Sequence, residues 1–517
     1  MRLLWSLLLL FISVESYKIL VYNSKFGHSH SNFLGSIADA LVDAGHNVTS
    51  LIPVIDPRLK DGTEKSTIIR IEPDQTVLDK IDDTTFNFFD LNDFNPIIPP
   101  LMGPMMAQCY GLTCAKTLSE VGLIERLRAE NYDVYISENF DVCGAALARA
   151  IAPKTTIGSY SSALAGEHFA EFGIPEAISY RPAAYMAKLD VHSFVDRAWN
   201  IYASLHYKLS FWFTRHYVNG LMRERFGDDY PSVAEQSGNV AYVLTNTEPL
   251  LDYASPTLAR VIDIAGIGAK QPLPLDEFWA EVLMRRERTI LFSLGSVVKA
   301  TQLVPAMKLA ILETMSRFPD ITFIWKYEQP DDEFCHEHAL KISSNVVLIK
   351  WMPQRDILAH PRLSVFITHG GMGSTQETAL SGVPGIFIPI FGDQRKNAGM
   401  MEYNGFGKVF DKWDLADADK FTAVIREVQD NKRYRENAQR VSKMIAKKPF
   451  SAKEQLVKHV EFAAEFGASA ALRPQSLDMS FIAYHNLDVI LAGAVLSIIS
   501  IYLFIRILSK LIRRLVA

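Results

Sequence analysis

Cysteine is scarce in this chain. Four cysteines in 517 residues (Cys109, Cys114, Cys143 and Cys335) are too few for a disulfide scaffold. Cys109 and Cys114 could pair in an oxidising compartment; buried free thiols are the equal alternative. A basic excess is also lacking. The formal net charge is -5, which leaves no positive face for nucleic acid. Charged residues are only 21% of the chain against 49% hydrophobic, and that balance excludes a disordered polymer. One hydrophobic core rarely organises this length, so two domains of roughly 200 residues each are expected.

Long apolar runs occur at the two ends. Residues 1–16 carry Arg2, an apolar stretch from Leu3 to Ile12, and the closing Val14-Glu15-Ser16. That order reads as a cleavable secretory signal, too short to cross a bilayer. Residues 487–508 are uncharged and mostly apolar from Val489 to Ile505. At about 1.5 Å per residue, roughly 20 residues cross a hydrocarbon core of about 30 Å, so this run reads as a single transmembrane helix. Arg506, Lys510, Arg513 and Arg514 follow with no acid among them. The positive-inside tendency then makes 509–517 a cytosolic basic tail and 17 to about 486 lumenal, a type I topology. Asn47-Val48-Thr49 is the one clear glycosylation sequon, at the expected start of a strand.

Between these ends the pattern alternates strand and helix, the mark of α/β layers. Residues 17–25 are β-rich. Residues 28–45 follow with Leu34, Ile37, Leu41 and Val42 at helical spacing and Gly45 as a stop. Further strands are expected at 47–53, 133–138, 155–160, 239–245 and 260–265, with a helix at 143–151. Residues 180–226 form a long aromatic helical insertion that could cover a substrate. The stretch 269–275, with two prolines, opens a linker assigned to 269–285. The alternation then restarts, with strands at 289–294, 321–327, 345–351, 364–368 and 386–391 and helices at 303–317 and 373–381. The reading is therefore two facing Rossmann-like doubly wound domains, 17–268 and 286–450, then helices over 451–486. In such folds the ligand lies beyond the carboxyl ends of the strands, here in the cleft between domains.

One stretch carries anion-binding chemistry. Phe366-Ile367-Thr368-His369-Gly370-Gly371 runs off a strand into glycines and then a helix. The glycines admit close backbone approach, and the helix N-terminus offers N–H groups and partial positive charge to a diphosphate. His369 can donate one more hydrogen bond, and Glu377 can accept from ribose hydroxyls. The wider spacing of His369-Gly370-Gly371, Ser374, Glu377, Pro384, Pro389 and Asp393-Gln394 resembles the signature of the UDP-glycosyltransferases, specifically the UDP-glucuronosyltransferase family. Ser293-Leu294-Gly295-Ser296 and Trp351-Met352-Pro353-Gln354 match further blocks of that family, and the likeness covers nearly the whole chain.

The resemblance implies a GT-B fold in the endoplasmic reticulum membrane and a UDP-sugar donor bound as a substrate, with no separate cofactor. It implies that Trp351 and Gln354 border the uracil and ribose. Ser296, Thr368 and His369 would contact the phosphates, among Ser293, Gly295, Gly370, Gly371 and Ser374. Asp393 and Gln394 would bind sugar hydroxyls. Two positions depart from the family: Gly373 replaces a frequent asparagine, and Gly385 a larger apolar residue.

Transfer to a hydroxyl needs a base, and histidine titrates near neutral pH. On spacing alone His28 and His30 are equal candidates in the loop after the first strand; the resemblance favours His30. A carboxylate should orient it. Glu138 stands where the family usually has aspartate, and Asp141 is the competing partner. Asp417-Ala418-Asp419 reads as helix capping and His336-Glu337-His338 as a solvated stretch, so no metal site is assigned. The expected activity is inverting transfer of a hexosyl group, glucuronate foremost, to a small lipophilic acceptor at a membrane, with room for a homo-oligomer. UDP-glucose as donor, an epimerase or hydrolase on the same fold, and a non-catalytic lumenal UDP-sugar or lipid-binding protein are the competing readings.

Overall fold

The computed structural model describes residues 16–81, 87–90 and 102–516, so the signal assigned to 1–16 lies almost wholly outside the described residues. The chain forms two compact units, one reaching Leu472 and the other starting at Arg473.

The first unit contains two sheets. β1 (Lys18–Tyr22), β2 (Asn47–Pro53), β3 (Thr67–Ile71), β4 (Val134–Glu138), β5 (Thr155–Tyr160), β6 (Val243–Thr245) and β7 (Val261–Asp263) pair in the order β3-β2-β1-β4-β5-β6-β7. The second sheet holds β8 (Arg288–Ser293), β9 (Ile321–Lys326), β10 (Val346–Ile349), β11 (Leu363–Thr368), β12 (Gly385–Phe387) and β13 (Gly407–Val409), ordered β10-β9-β8-β11-β12-β13. Every pairing is parallel. Apolar, fully buried runs such as Ile19 to Tyr22 and Ile290 to Phe292 suit strands covered on both faces.

Both sheets share one doubly wound order, and in each the winding direction reverses between two central strands. These are β1 and β4 in the first sheet, β8 and β11 in the second. Loops leaving such a pair diverge to opposite faces and open a crevice at the carboxyl ends. His30 follows β1 and Glu138 ends β4; Gly295 follows β8 and His369 follows β11. The topology thus collects residues far apart in sequence at two switch points.

Several elements differ from the sequence reading. The insertion 180–226 becomes a helix only at Phe194–Phe226, where Ser193 caps it by accepting from the Asp196 N–H. Within the expected 269–285 linker, Glu277–Met284 is a helix, capped by Asp276 and burying Trp279, Val282 and Leu283 against the second sheet. Strand β12 stops at Phe387, short of Pro389, which has no N–H for a ladder. The helix Met102–Ser119 was not anticipated; its glycines and proline blur the helical pattern.

The two halves exchange segments. Phe89, from the N-terminal half, lies in the core of the second sheet, and the Asn87 side chain donates to the Gln302 carbonyl at 3.0 Å. Conversely, the helix Ala452–Phe466 buries Leu456, Val460 and Ala463 against Ile19, Ile37 and other residues of the first sheet.

A disulfide joins Cys114, on the helix Met102–Ser119, to Cys143, at the start of the helix Cys143–Ile151. The suggested Cys109–Cys114 pair does not form. The two residues sit five apart on one helix and therefore point to different faces. Cys109 and Cys335 are buried free thiols.

The second unit is dominated by a 30-residue helix, Leu487–Val516, exposed throughout and long and apolar enough to cross a membrane. It outruns the expected 487–508 because the basic residues after Ile505 continue the helix.

The disulfide closes a loop with a sequence separation of 29. Chain-entropy arguments value such a closure at about 3–4 kcal/mol. Cys114→Ser or Cys143→Ser should lower the thermal midpoint, and reductant should lower the parent's midpoint but not the variants', as read by scanning calorimetry.

Candidate active site

Strand β1 delivers the chain to Gly27, the N-cap of the helix His28–Asp43, so His30 lies in that helix's first turn. Its Nδ1 meets Glu138 Oε1 at 2.8 Å. Glu138 is fully buried at the end of β4. Ser161, just after β5, donates its backbone N–H to the same carboxylate oxygen at 3.1 Å, and its hydroxyl sits on His30 Nδ1. The other two candidates fall elsewhere. His28 is held through its Nδ1 by the Asn32 side chain at 3.1 Å. Asp141 faces the Gly144 N–H at 3.5 Å, and burial followed by the nearby Glu138 charge pushes its pKa up to about 7. With the carboxylate on Nδ1, the proton belongs on Nδ1 and Nε2 keeps its lone pair.

Aromatic rings surround the imidazole. Phe26 lies 4.2 Å from it and Phe140 4.9 Å, centroid to centroid. Tyr110, from the helix Met102–Ser119, and Phe211, from the helix Phe194–Phe226, pack edge-on against these rings. The result is an apolar wall beside one basic nitrogen.

The second sheet supplies the opposite side. Asp393 stands at the N-cap position of the helix Gln394–Tyr403, and its carboxylate accepts from the Asn397 side-chain amide at 2.9 Å. Burial raises its pKa, opposed by Asn397 and by the electrostatic reach of His30, so the two halves converge here. The Gln394 amide oxygen accepts from the backbone N–H groups of Ile390 and Phe391, at 2.8 Å and 3.2 Å. Only its NH2 group remains for a ligand.

The glycine-rich turn after β11 is built around His369. A Cβ on Gly295 or on Gly371 would lie 2.5 Å from its ring, so neither position admits a side chain without displacing the imidazole. Gly370 turns at φ 79°, in the left-handed region. The helix Met372–Ser381 then begins without a side-chain cap, leaving its first N–H groups for an anion. Burial, aided by Lys326, pushes the His369 pKa down to about 4. Thr368 Oγ1 lies 3.4 Å from its Nδ1, and Ser293 Oγ accepts from the Gly295 N–H at 3.3 Å. Ser296 is exposed at the mouth.

Farther out, Gln354 donates to Glu377 at 2.6 Å and to Ser374 at 3.3 Å, while burial raises the Glu377 pKa. Trp351 is 63% exposed, an open ring face suited to a planar base. The two family departures separate physically. A Cβ at Gly373 meets nothing within 4 Å, so only a side-chain contact is absent; one at Gly385 would strike the Phe387 ring at 2.5 Å.

Sequence reasoning missed three groups. Lys326, at the end of β9, donates to the Gly295 carbonyl at 2.8 Å, pairs with Glu328 and lies over Trp351; a lysine ending an apolar strand was the available signal. Asp252 is shared by Arg181 at 2.8 Å and Lys396 at 3.0 Å, all three buried. Burial, then Arg181, lowers the Lys396 pKa to about 8. Gln376 donates to the Asn246 carbonyl at 3.0 Å and to its Oδ1 at 2.6 Å, and Asn246 Nδ2 donates to the Ser161 carbonyl at 2.8 Å. No sequence signal marks these last two, because each needs both domains in place. Asp417 does cap the helix Ala418–Asp430, accepting from the Asp419 and Lys420 N–H groups.

Two doubly wound sheets with paired switch points are the arrangement of the GT-B fold. Solved structures agree on that fold. A UDP-glucosyltransferase from Polygonum tinctorium has a TM-score of 0.58 at 15% identity, covering 87% of this chain and 99% of that one. The glycotransferase of kitacinnamycin has a TM-score of 0.56 at 16% identity, covering 87% and 98%. Residues 17–517 match the family described as "UDP-glucoronosyl and UDP-glucosyl transferase", and the chain belongs to it. The putative UDP-glucuronosyltransferase ugt-47 of Caenorhabditis briggsae is 30% identical, covering 93% of this chain and 91% of that protein. Human UDP-glucuronosyltransferase 1A8 is 27% identical over 97% and 92%. The protein is thus a glycosyltransferase that takes its sugar from a UDP-sugar.

His369 makes a pH test possible. An unfolded histidine titrates near 6.5, and this one near 4 when folded. The unfolded state therefore binds the extra proton between these values, so stability rises with pH through that window and falls on acidification. Groups with raised carboxyl pKa values, such as Glu377, act in the opposite sense. The His369→Gln variant should lose less thermal stability than the parent between pH 7 and 4.5, compared by circular dichroism melts.

Proposed function

We propose that this protein catalyses inverting transfer of a hexosyl group, glucuronate foremost, from a UDP-sugar to the hydroxyl of a small lipophilic acceptor. The observation that carries this reading is the His30–Glu138 pair at 2.8 Å, set among aromatic rings and within electrostatic reach of Asp393. Trp351 stacks on the uracil, and Gln354 and Glu377 hold the ribose. The free N–H groups after Gly371, with Thr368 and His369, take the diphosphate. Asp393 and the Gln394 NH2 group bind the sugar hydroxyls.

In the chemical step, His30 Nε2 removes the acceptor proton while Glu138 steadies the imidazolium through Nδ1. The acceptor oxygen forms its bond to the anomeric carbon from the face opposite UDP. The bond from that carbon to the phosphate oxygen breaks, its electron pair leaves with UDP, and the configuration inverts. The helix N-terminus beside Gly371 stabilises the growing charge on the leaving diphosphate.

The buried Arg181–Asp252–Lys396 group supports glucuronate. Two cations share one carboxylate, and Lys396 lies three residues beyond Asp393, the N-cap of its helix, so a cationic group adjoins the sugar end. The names of the relatives point the same way. The apolar helix Leu487–Val516 supports an anchored protein of the endoplasmic reticulum, with the catalytic unit on the lumenal side.

The test offers UDP-glucuronate and UDP-glucose separately to the membrane-bound chain, with a panel of phenols and sterols. Acceptor-dependent turnover, greater with UDP-glucuronate, is expected. His30→Ala should lower kcat about a thousandfold and retain UDP affinity by calorimetry. Release of free sugar without acceptor would make the protein a hydrolase. UDP binding without turnover in the parent would make it a binding protein.

Gln376→Ala addresses the link between domains. Gln376 neighbours Glu377 on the donor helix, and its bonds run through Asn246 to Ser161, which touches both His30 and Glu138. Its loss should lower kcat about tenfold with UDP affinity unchanged, the pattern of a misplaced base rather than a lost ligand contact.

A further inference from the structure

A carboxylate stands beside the glycine turn where a pocket for an anionic ligand should avoid one. β9 ends at Lys326, and Glu328 lies just past it with its side chain 19% exposed. Its Oε1 accepts from Lys326 Nζ at 2.7 Å. Its Oε2 accepts from the Ala300 N–H, also at 2.7 Å. Both oxygens are therefore engaged, one by a cation and one by a backbone amide.

These partners hold opposite ends of one loop. Residues 294–299 lead from β8 to the short 3-10 turn Ala300–Gln302, which has no side-chain cap of its own. At the near end Lys326 donates to the Gly295 carbonyl at 2.8 Å. At the far end Glu328 supplies the acceptor that the turn lacks. The bonds close a bracket that runs from the Ala300 N–H through Glu328 and Lys326 to Gly295. Within it lie Ser296, exposed at the mouth, and Val298, buried in the core of the second sheet. Gly295 turns at φ 87°, in the left-handed region, and a Cβ there would meet the His369 ring at 2.5 Å. Movement of this loop is thus felt at His369.

Charge alone argues against such a residue. A carboxylate beside Lys326 cancels positive potential that would attract a diphosphate. The compensating gain is order. Lysine is long and flexible, and charge-assisted hydrogen bonds are what fix it. Lys326 is 7% exposed, bonded to two acceptors, and lies 5.6 Å from the centre of the Trp351 ring. Glu328 therefore reaches both the loop of Ser296 and the cation under Trp351.

We propose that Glu328 is a positioning residue for the donor, holding the loop 295–300 and Lys326 in the arrangement that receives UDP. The proposal rests on the reading of this pocket as the UDP site. Glu328 acts through the bracket and not by contact with the nucleotide.

The test uses the full chain in phosphatidylcholine vesicles, with UDP as the calorimetric probe and with the donor that the parent turns over fastest. Glu328→Ala should raise the UDP Kd and the donor KM together by about tenfold, with kcat within about twofold and the acceptor KM unchanged. Glu328→Gln keeps an oxygen for the Ala300 N–H and should stay about threefold above the parent. On a Lys326→Met background, removing Glu328 should cost about threefold and not tenfold, because part of its action passes through Lys326. Equal costs on the two backgrounds would overturn the proposal. So would a lowered thermal midpoint with unchanged KM, the mark of a structural role alone. Tighter UDP binding by the alanine and glutamine variants would make Glu328 only a repelling charge. Should the alanine variant not fold, the glutamine variant decides, since a UDP Kd at or below the parent's overturns the proposal. A parent chain with no affinity for UDP would overturn the donor reading as well.

Discussion

Catalysis in this protein depends on holding two parallel sheets with the carboxyl ends of their strands facing one another. The two halves contribute different chemistry. The first has a buried carboxylate, a histidine and an apolar wall. The second has glycines, an uncapped helix and an exposed tryptophan. The chain resists separation of the halves by exchanging parts: Phe89 lies in the second core, and the helix Ala452–Phe466 covers the first sheet. Buried polar bonds then set the register. Asp252 meets Lys396, Asn246 meets Gln376, and Glu248 meets Lys448. Such groups are costly to bury unpaired, so small displacements between the halves are opposed strongly.

That constraint explains why the segment 246–252 matters more than its composition suggests. It leaves β6 at the edge of the catalytic crevice and crosses directly to the donor half. Asn246 reaches the donor helix on one side and Ser161 on the other, while Asp252 neutralises part of a positive cluster near Asp393. One short strap therefore bonds to the surroundings of His30 at one end and to the helix Gln394–Tyr403 at the other.

The electrostatics divide along the same line. Burial, aided by Lys326, keeps His369 neutral near pH 7, so it stands in the glycine turn as a hydrogen-bonding group and not as a fixed cation. Fixed positive charge lies instead on Lys326, which donates to the Gly295 carbonyl, and on Lys396 and Arg181, which share Asp252. His30 differs from His369 in having a carboxylate partner and a partly open ring.

Local chemistry was legible in the residues. The period of apolar positions located most strands and the helix His28–Asp43, because those patterns arise from packing one face or two. The glycines before Met372 pointed to a tight turn into an uncapped helix, since that geometry needs few other residues. The family likeness singled out His30 and Glu138. What stayed hidden were pairings between distant segments: the Cys114–Cys143 bridge, the Asp252 cluster and the Asn246 link. The helix Met102–Ser119 and the short strands β3 and β13 were equally silent, their patterns blurred by glycine or cut to a few residues. By itself the sequence determined which segments could be strands, which loop could hold a diphosphate, and which end could span a bilayer. Only the tertiary structure showed that His30 rather than His28 meets a carboxylate, and that the carboxylate is Glu138 rather than Asp141. Each choice depends on a distance across the sheet, and two residues of equal chemistry separate only when one finds a partner and the other finds a different one.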